Sequence, residues 1–595
     1  MKNVEIKKII TVEELEEISL DGNTFAFDTE TVSLHGDILA LSMYDGKTAY
    51  YFRIRQDDED ESLFSLEKAF LSKEEIFPKI NKFFEEENKI KIGHNIKYDM
   101  KVLAKCGVNV KGSLIDTLVW AWLLNENDEN KEMSLKKLAK EILGENDVIA
   151  FDDIAKYDKS TKSKTLKGID EEILAKYSVQ DSILAYNLAK ALFDQINKEG
   201  LFEHYYNIEM PMIYCLFHME QNGVYVDKDN LEKCRKLFEE KKKEAEDKCI
   251  SLCGKPINLN SPDQIANIFK EKGLDTKIRT TKMSKMSTSS SALEHLKHPL
   301  AKQILEYRKY EKLLNTFILP IYNYMNEKGR VSCDYNLTGT VTGRLSSSNP
   351  NLQNIPADKQ VRAIFAAPEG KILLKCDYSQ IELRVLAHFS QDERLLGAYS
   401  EGKDVHKETA SLIFKVPIDE VTDEQRQVAK TMNFGIIYGM SSLALSQNTG
   451  MTEKEAKEFL DRYFKVYYGV ERFIRRTKRE AEKNLFVTTI SGRKRRLSNI
   501  TNENQAVKNY ALRQAVNAVI QGSAADIVKK AMVDIDNSNL NCKMVMQIHD
   551  ELVFEVEESK ADWYATRIRN IMESPYKEVL TVPLVVDIKK GKHWS

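Results

Sequence analysis

Two apolar runs, each reading as a strand and each ending at a carboxylate, most constrain what this chain can fold into. Lys371 to Lys375 leads into Cys376-Asp377-Tyr378-Ser379-Gln380-Ile381-Glu382-Leu383-Arg384, and Lys543 to Ile548 leads into His549-Asp550-Glu551-Leu552-Val553. A fold that brings Asp377 and Asp550 together gains a place for a pair of magnesium ions. These hard cations take oxygen ligands and keep positions free for phosphate. Two of them, with manganese able to substitute, suit in-line displacement at phosphorus. A lone acid at a strand end is usually just solvated, so the reading depends on what lies between the two.

Between them runs Arg426-Gln427-Val428-Ala429-Lys430-Thr431-Met432-Asn433-Phe434-Gly435-Ile436-Ile437-Tyr438-Gly439. Arg426, Lys430, Phe434 and Tyr438 recur every fourth position and so form a stripe on one face of a helix. Bland amphipathic helices bury Leu, Ile and Val on such a face. Here two cations suit triphosphate oxygens, and two rings offer flat surfaces to a base and sugar.

With these three segments in this order, the chain resembles the family A DNA polymerases, the DNA polymerase I-like enzymes of bacteria and their phages, over nearly its whole length. Thr342-Gly343-Arg344-Leu345-Ser346-Ser347, Asn351-Leu352-Gln353-Asn354-Ile355-Pro356 and Arg513 to Gly522 extend the match. The resemblance implies an α/β multidomain chain, with an RNase H-like exonuclease domain over 1–197 and a right-hand polymerase domain over 198–595. Within the latter, the thumb would span about 222–330, the fingers about 386–510, and the palm the remainder. It also implies Asp377 and Asp550 as catalytic metal ligands. Arg426, Lys430, Phe434 and Tyr438 would line the nucleotide-binding helix, Lys430 serving catalysis as well, with His406 near the incoming triphosphate. Arg344, Gln380, Arg513, Asn517, Gln521 and His549 would meet primer, template or the nascent base pair, Gln380 also touching the nucleotide. Glu382 occupies the place where the family excludes a ribose 2′-hydroxyl by bulk, so the expected substrate is a deoxynucleoside triphosphate on primer-template DNA.

A second acid set lies near the start. Phe27-Asp28-Thr29-Glu30 closes a strand, so Asp28 and Glu30 face the same side. Gly93-His94-Asn95-Ile96-Lys97-Tyr98-Asp99 and Tyr177-Ser178-Val179-Gln180-Asp181 follow, and Tyr177 and Asp181 share a helix face. Four carboxylates beside a tyrosine suit metal-assisted hydrolysis, the phenol orienting water. The set resembles the family's proofreading 3′-to-5′ exonuclease, with Asp28, Glu30, Asp99 and Asp181 as metal ligands and Tyr177 catalytic beside them. All five positions are filled, so the exonuclease is expected to be active. Larger bacterial members carry a 5′ nuclease domain first. Here only Met1 to Asp21, reading as a strand and then a helix from Val12, precedes the first acids, so no flap cutting is expected.

Composition excludes more than it suggests. The 595 residues allow several domains, and 88 Lys plus Arg against 91 Asp plus Glu leave a formal charge of −3, so any DNA contact must come from local grooves. Lys233 to Lys248, Lys282 to Lys285, Arg462 to Lys483 and Arg493-Lys494-Arg495-Arg496 are candidates for such a track, though each alone reads as a solvated face. Eight scattered cysteines complete no zinc pattern, and no apolar segment suits a signal or a bilayer span, so a cytoplasmic monomer is expected. Gly46-Lys47-Thr48 lacks the first glycine of a P-loop, which removes ATPase activity. A single-subunit nucleic-acid polymerase with a silent nuclease and a non-catalytic DNA-binding protein stay as rivals. The nuclease acids and Glu382 speak against an RNA polymerase, and two crowded acid sets without metal would destabilise a silent protein.

Overall fold

The computed structural model describes residues 4–20, 22–33, 36–56, 70–125, 132–158, 163–276 and 286–594. The basic run Lys282 to Lys285 lies outside the described residues, as do the first three positions of the leader and Asp21.

The N-terminal part is built on a six-stranded sheet: β1 (Glu5–Ile9), β2 (Thr24–Thr31), β3 (Ile38–Tyr44), β4 (Thr48–Arg53), β5 (Ile90–Gly93) and β6 (Leu114–Asp116), in the order β1-β4-β3-β2-β5-β6. β3 is buried along all seven residues, which requires cover on both faces. Two helices frame the acids: α1 (Ile96–Lys105) follows β5 directly, and α2 (Glu171–Lys198) packs its buried Leu174, Val179, Ile183 and Leu188 on the sheet. Asp170 caps α2 by accepting from Glu172 N and Ile173 N. Past Lys198 the chain turns at Gly200, φ +67°.

The next stretch crosses into the C-terminal part through Tyr205–Glu209 and Met210–Asn222, then enters the extended Val224–Val226. The long α3 (Lys228–Cys253) packs on α4 (Pro299–Lys312), and with Leu259, Ile265, Phe269 and Leu293 they enclose a small core of their own. Charges along α3 pair locally, Arg235 with Glu232 and Glu239 and Lys241 with Glu244, so most of this run is a solvated helix face. The catalytic region consists of a four-stranded antiparallel sheet, β7 (Lys371–Tyr378), β8 (Lys543–Ile548), β9 (Glu551–Glu557) and β10 (Val586–Gly591), in the order β8-β9-β7-β10. Between β7 and β8 the chain runs through α5 (Ile381–Ser390), α6 (Val405–Phe414), α7 (Asp423–Ile437) and the 32-residue α8 (Gln505–Asp536). No described helix is long and apolar enough to cross a membrane.

One sequence expectation is corrected here. Arg493-Lys494-Arg495-Arg496 is not a duplex track but a clasp between the two parts. Arg493 is 1% exposed, pairs with Asp526 at 3.3 Å, donates to the Thr342 carbonyl at 2.7 Å and lies over the Trp122 ring at 5.6 Å. Its guanidinium passes so close to Gly343, φ +81°, that a Cβ there would come within 2.5 Å of it. Lys494 and Arg496 both reach Glu199, at 3.1 and 2.8 Å, and Arg496 Nε donates to the Leu124 carbonyl. A second ion pair, within the C-terminal part, is fully buried: Lys529 of α8 meets both oxygens of Glu209, at 2.7 and 2.9 Å, and His204 Nε2 lies 3.2 Å from the same carboxylate. Burial alone would lift Glu209, but the Lys529 and His204 contacts win and hold it at about 2.

Glu209→Gln should therefore leave the Lys529 ammonium buried without its counter-charge and cost about 3–5 kcal/mol at neutral pH. Because the folded-state value is depressed, this contribution is present above the ordinary 4.5 and is lost as pH falls toward about 2. Denaturant unfolding of both proteins across that window should show the gap closing on the acid side; a constant gap would exclude the ion pair as its source.

Candidate active sites

Register brings the two strand-end acids of the C-terminal part together. Asp377, next to last in β7, lies opposite Glu551 of β9 and Asp587 of β10. β8 and β9 are joined by His549 and Asp550, with His549 in the left-handed region at φ +55°. That turn sets Asp550 beside the end of β7, where Tyr378 N donates to the Asp550 carbonyl at 3.2 Å. Both carboxylates then line one cleft of about 390 Å³. The Asp377 side chain opens to solvent, yet loss of hydration on its protein side, followed by the charges of Glu551, Asp550 and Asp587, raises it to about 6. Burial raises Asp550 too, against the pull of Arg344 and His549.

The mixed stripe forms the opposite wall. α7 starts with a capping box at Thr422 and Gln425 and ends at Tyr438, and Arg426, Lys430, Phe434 and Tyr438 all line the cleft. Arg426 Nε is held at 2.9 Å by Asp404, which also caps α6 through His406 N and Lys407 N. His406 lies in the same wall, 5.7 Å from the Phe434 ring. Burial lowers it to about 4, and its Nδ1 accepts from Asn433 Nδ2 at 3.0 Å, which assigns the ring proton to Nε2.

Glu382 is buried and fastened twice: Arg344 Nη2 donates to it at 2.6 Å, and the Tyr438 hydroxyl at 3.1 Å. Arg344 also stands 3.8 Å from Asp550. Gln380, at φ +53°, begins α5 with its amide oxygen accepting from the Tyr399 hydroxyl at 3.1 Å. On α8, Arg513, Asn517 and Gln521 follow one another at four-residue steps. The Arg513 stem slides over Gly439, where a Cβ would meet its Cδ at 2.7 Å. Asn517 Oδ1 is buried without a hydrogen-bond partner, an acceptor waiting for a donor that the protein does not supply.

In the N-terminal part, oxygens of Asp28, Glu30 and Asp181 all lie within 4.8 Å of one another. Asp99 joins from α1, but its Oδ1 is tied to β2 by Thr29, whose N and hydroxyl donate to it at 2.9 and 2.6 Å. Burial raises Asp28 to about 6 and lifts Glu30 and Asp99 well above the carboxylate range, with Asp28's charge adding to both. Tyr177, buried beside them, has its phenol pushed up by burial and then by Glu30 and Asp28, so it stays protonated. A cleft of about 610 Å³, bordered by Glu30, Tyr98 and Phe151, adjoins the cluster.

Sequence reading missed Lys136. Its ammonium presses against Asp181, lies 4.7 Å from the Tyr177 ring centroid, and is lowered to about 8 by burial despite Asp28 and Glu30. Nothing in Ser134-Leu135-Lys136-Lys137 signals this, because the contact spans forty-five residues of chain. Carboxylate oxygens are the donors hard divalent cations take, and among the described residues Asp28, Glu30 and Asp181 are close enough to share one. A lysine already drawn in as a stand-in cation supports that fit.

Comparison with known proteins agrees with this layout. The family model described as DNA polymerase family A matches residues 228–595, and one described as 3′-5′ exonuclease matches 3–197. DNA polymerase I of Pseudomonas aeruginosa is 35% identical over 98% of this chain and 64% of its own length. That of Borreliella burgdorferi is 34% identical over 100% and 65%. The chain thus spans just under two thirds of these relatives. The polymerase domain of Pol1 from M. smegmatis, solved with DNA primer-template and dNTP, superposes with a TM-score of 0.82 at 29% identity, covering 98% of this chain and 97% of that one. A right-hand polymerase region thus follows an RNase H-like exonuclease region, and the chain belongs to DNA polymerase family A.

Proposed function

We propose that this chain is a DNA-directed DNA polymerase that proofreads with a 3′-to-5′ exonuclease, acting on primer-template DNA and deoxynucleoside triphosphates. The observation that carries the reading is the single cleft in which Asp377 and Asp550 face Arg426, Lys430, Phe434 and Tyr438. On this reading the exonuclease domain covers 1–197 and the polymerase domain 198–595. Asp377 and Asp550 would hold one pair of magnesium ions, and Asp28, Glu30, Asp99 and Asp181 the other. Such ions, when bound, supply the Lewis acidity for displacement at phosphorus.

The chain's own groups account for binding and orientation. Arg426 and Lys430 neutralise triphosphate oxygens, while neutral His406 offers Nε2–H from the same wall. Phe434 and Tyr438 flank the base and sugar. Glu382, fixed by Arg344 and Tyr438, is a rigid wall against a 2′-hydroxyl, and a site that cannot yield rejects the larger sugar. Arg513, Asn517, Gln521, Gln380 and His549 meet the duplex end, and the orphaned Asn517 oxygen there accepts a hydrogen bond from DNA. At the exonuclease, the protonated Tyr177 phenol donates to and orients the attacking water. All eight cysteines are free, which supports a reducing cytoplasm, and we take the working form to be a monomer.

A labelled primer-template, incubated with magnesium and with or without nucleotides, tests both activities. Asp377→Asn or Asp550→Asn should cut extension by about two orders of magnitude or more while primer degradation persists. Asp28→Ala with Glu30→Ala should do the reverse. Near wild-type extension by either aspartate variant would refute the polymerase assignment.

Tyr438→Phe removes one of the two fasteners of Glu382, so its carboxylate gains freedom and ribonucleotide exclusion should weaken about tenfold, against about 100-fold for Glu382→Ala. The ratio of kcat/KM for deoxy- and ribonucleotides measures it. An unchanged ratio in Glu382→Ala would place the sugar gate elsewhere.

A further inference from the structure

We propose that Lys136 is a resident counter-ion of the exonuclease acids, which divalent ions must displace, so that this lysine sets the metal concentration at which excision begins. The inference rests on the reading of Asp28, Glu30, Asp99 and Asp181 as metal ligands and goes beyond it by naming a competitor for their site.

The geometry carries it. Three carboxylates with oxygens inside 4.8 Å repel one another when ionised, and a positive charge among them relieves it. Lys136 supplies that charge from the short helix Leu135–Leu138: its ammonium is closed off from solvent, presses on Asp181, and rests over the face of Tyr177 at 4.7 Å. Its neighbour Lys137 reaches Glu132 instead, 3.9 Å away, so the placement belongs to Lys136 and not to the run. One ammonium and two divalent ions cannot share so small a volume, because like charges a few ångströms apart repel strongly where water is excluded. Lysine is suited to yielding, being a point charge on a flexible four-carbon stem. Lys136 therefore acts as a positioning residue: it holds the acids in place before metal arrives and opposes the metal's entry.

The test uses the full chain carrying Asp377→Asn and Asp550→Asn, so that only the N-terminal site binds, with manganese as the probe and electron paramagnetic resonance as the readout. Lys136→Met keeps the stem and removes the charge, and should tighten manganese binding by about tenfold or more. Lys136→Arg, which keeps the charge, should stay near the parent. In chelator, Lys136→Met should unfold at lower temperature than the parent and regain the difference when manganese is added. Equal or weaker manganese binding by Lys136→Met, with Lys136→Gln as a second variant should Met fold poorly, would overturn the proposal. Asp28→Asn with Glu30→Gln separates the two levels: manganese lost there but unchanged in Lys136→Met sinks only the competitor role. Manganese retained there sinks the metal-site reading, and the role of Lys136 with it.

Discussion

The antiparallel register of Lys371–Tyr378 against Glu551–Glu557 underlies the rest of the catalytic region. A slip of one residue would turn Asp377 to the other face of the sheet and separate it from Asp550. Two devices shape the adjoining hairpin of Lys543–Ile548 and Glu551–Glu557, which carries Asp550. The hairpin turn uses His549 in the left-handed region, and the partner strand is offset by a bulge between Met544 and Met546. The cost is a crowd of acids, since Glu551 and Asp587 lie directly opposite Asp377, where like charges are destabilising. The wall across the cleft answers that crowd with Arg344, Arg426 and Lys430.

The same electrostatic tension appears at the first site and is handled differently. There Glu30, Asp99 and Asp181 are buried, so water screens them poorly, and the protein brings in Lys136. The open cleft spreads its cations along a helix and a loop; the enclosed one concentrates charge in one movable group. Two sites of similar donor chemistry thus differ in how their positive charge is stored.

Much of this was legible from residues alone. The strand-to-acid junctions at Asp377 and Asp550, the four-residue stripe from Arg426 to Tyr438, and the shared face of Tyr177 and Asp181 all follow from local periodicity, and local periodicity is what sequence reports directly. The double fastening of Glu382, the Thr29 tie on Asp99 and the position of Lys136 depend on which distant segment lies across the gap, and no spacing encodes that. Charge runs misled for a related reason. Arg493 to Arg496 looks the same in sequence whether its partner is phosphate or a neighbouring domain; only burial distinguishes them.

The clasp at that run bears on how far the two halves are modules. Family models divide the chain near residue 200, yet Arg493 is stacked on an indole from one half while gripping a helix of the other. Separating the halves would leave Trp122, now 2% exposed, facing water, and Arg496 without the Leu124 carbonyl. A chimaera assembled from two relatives would join cleanly only if the residue at Trp122 met a partner able to receive it as Arg493 does. Modularity in sequence is here a statement about ancestry, while in solution the halves share one seam that neither can close alone.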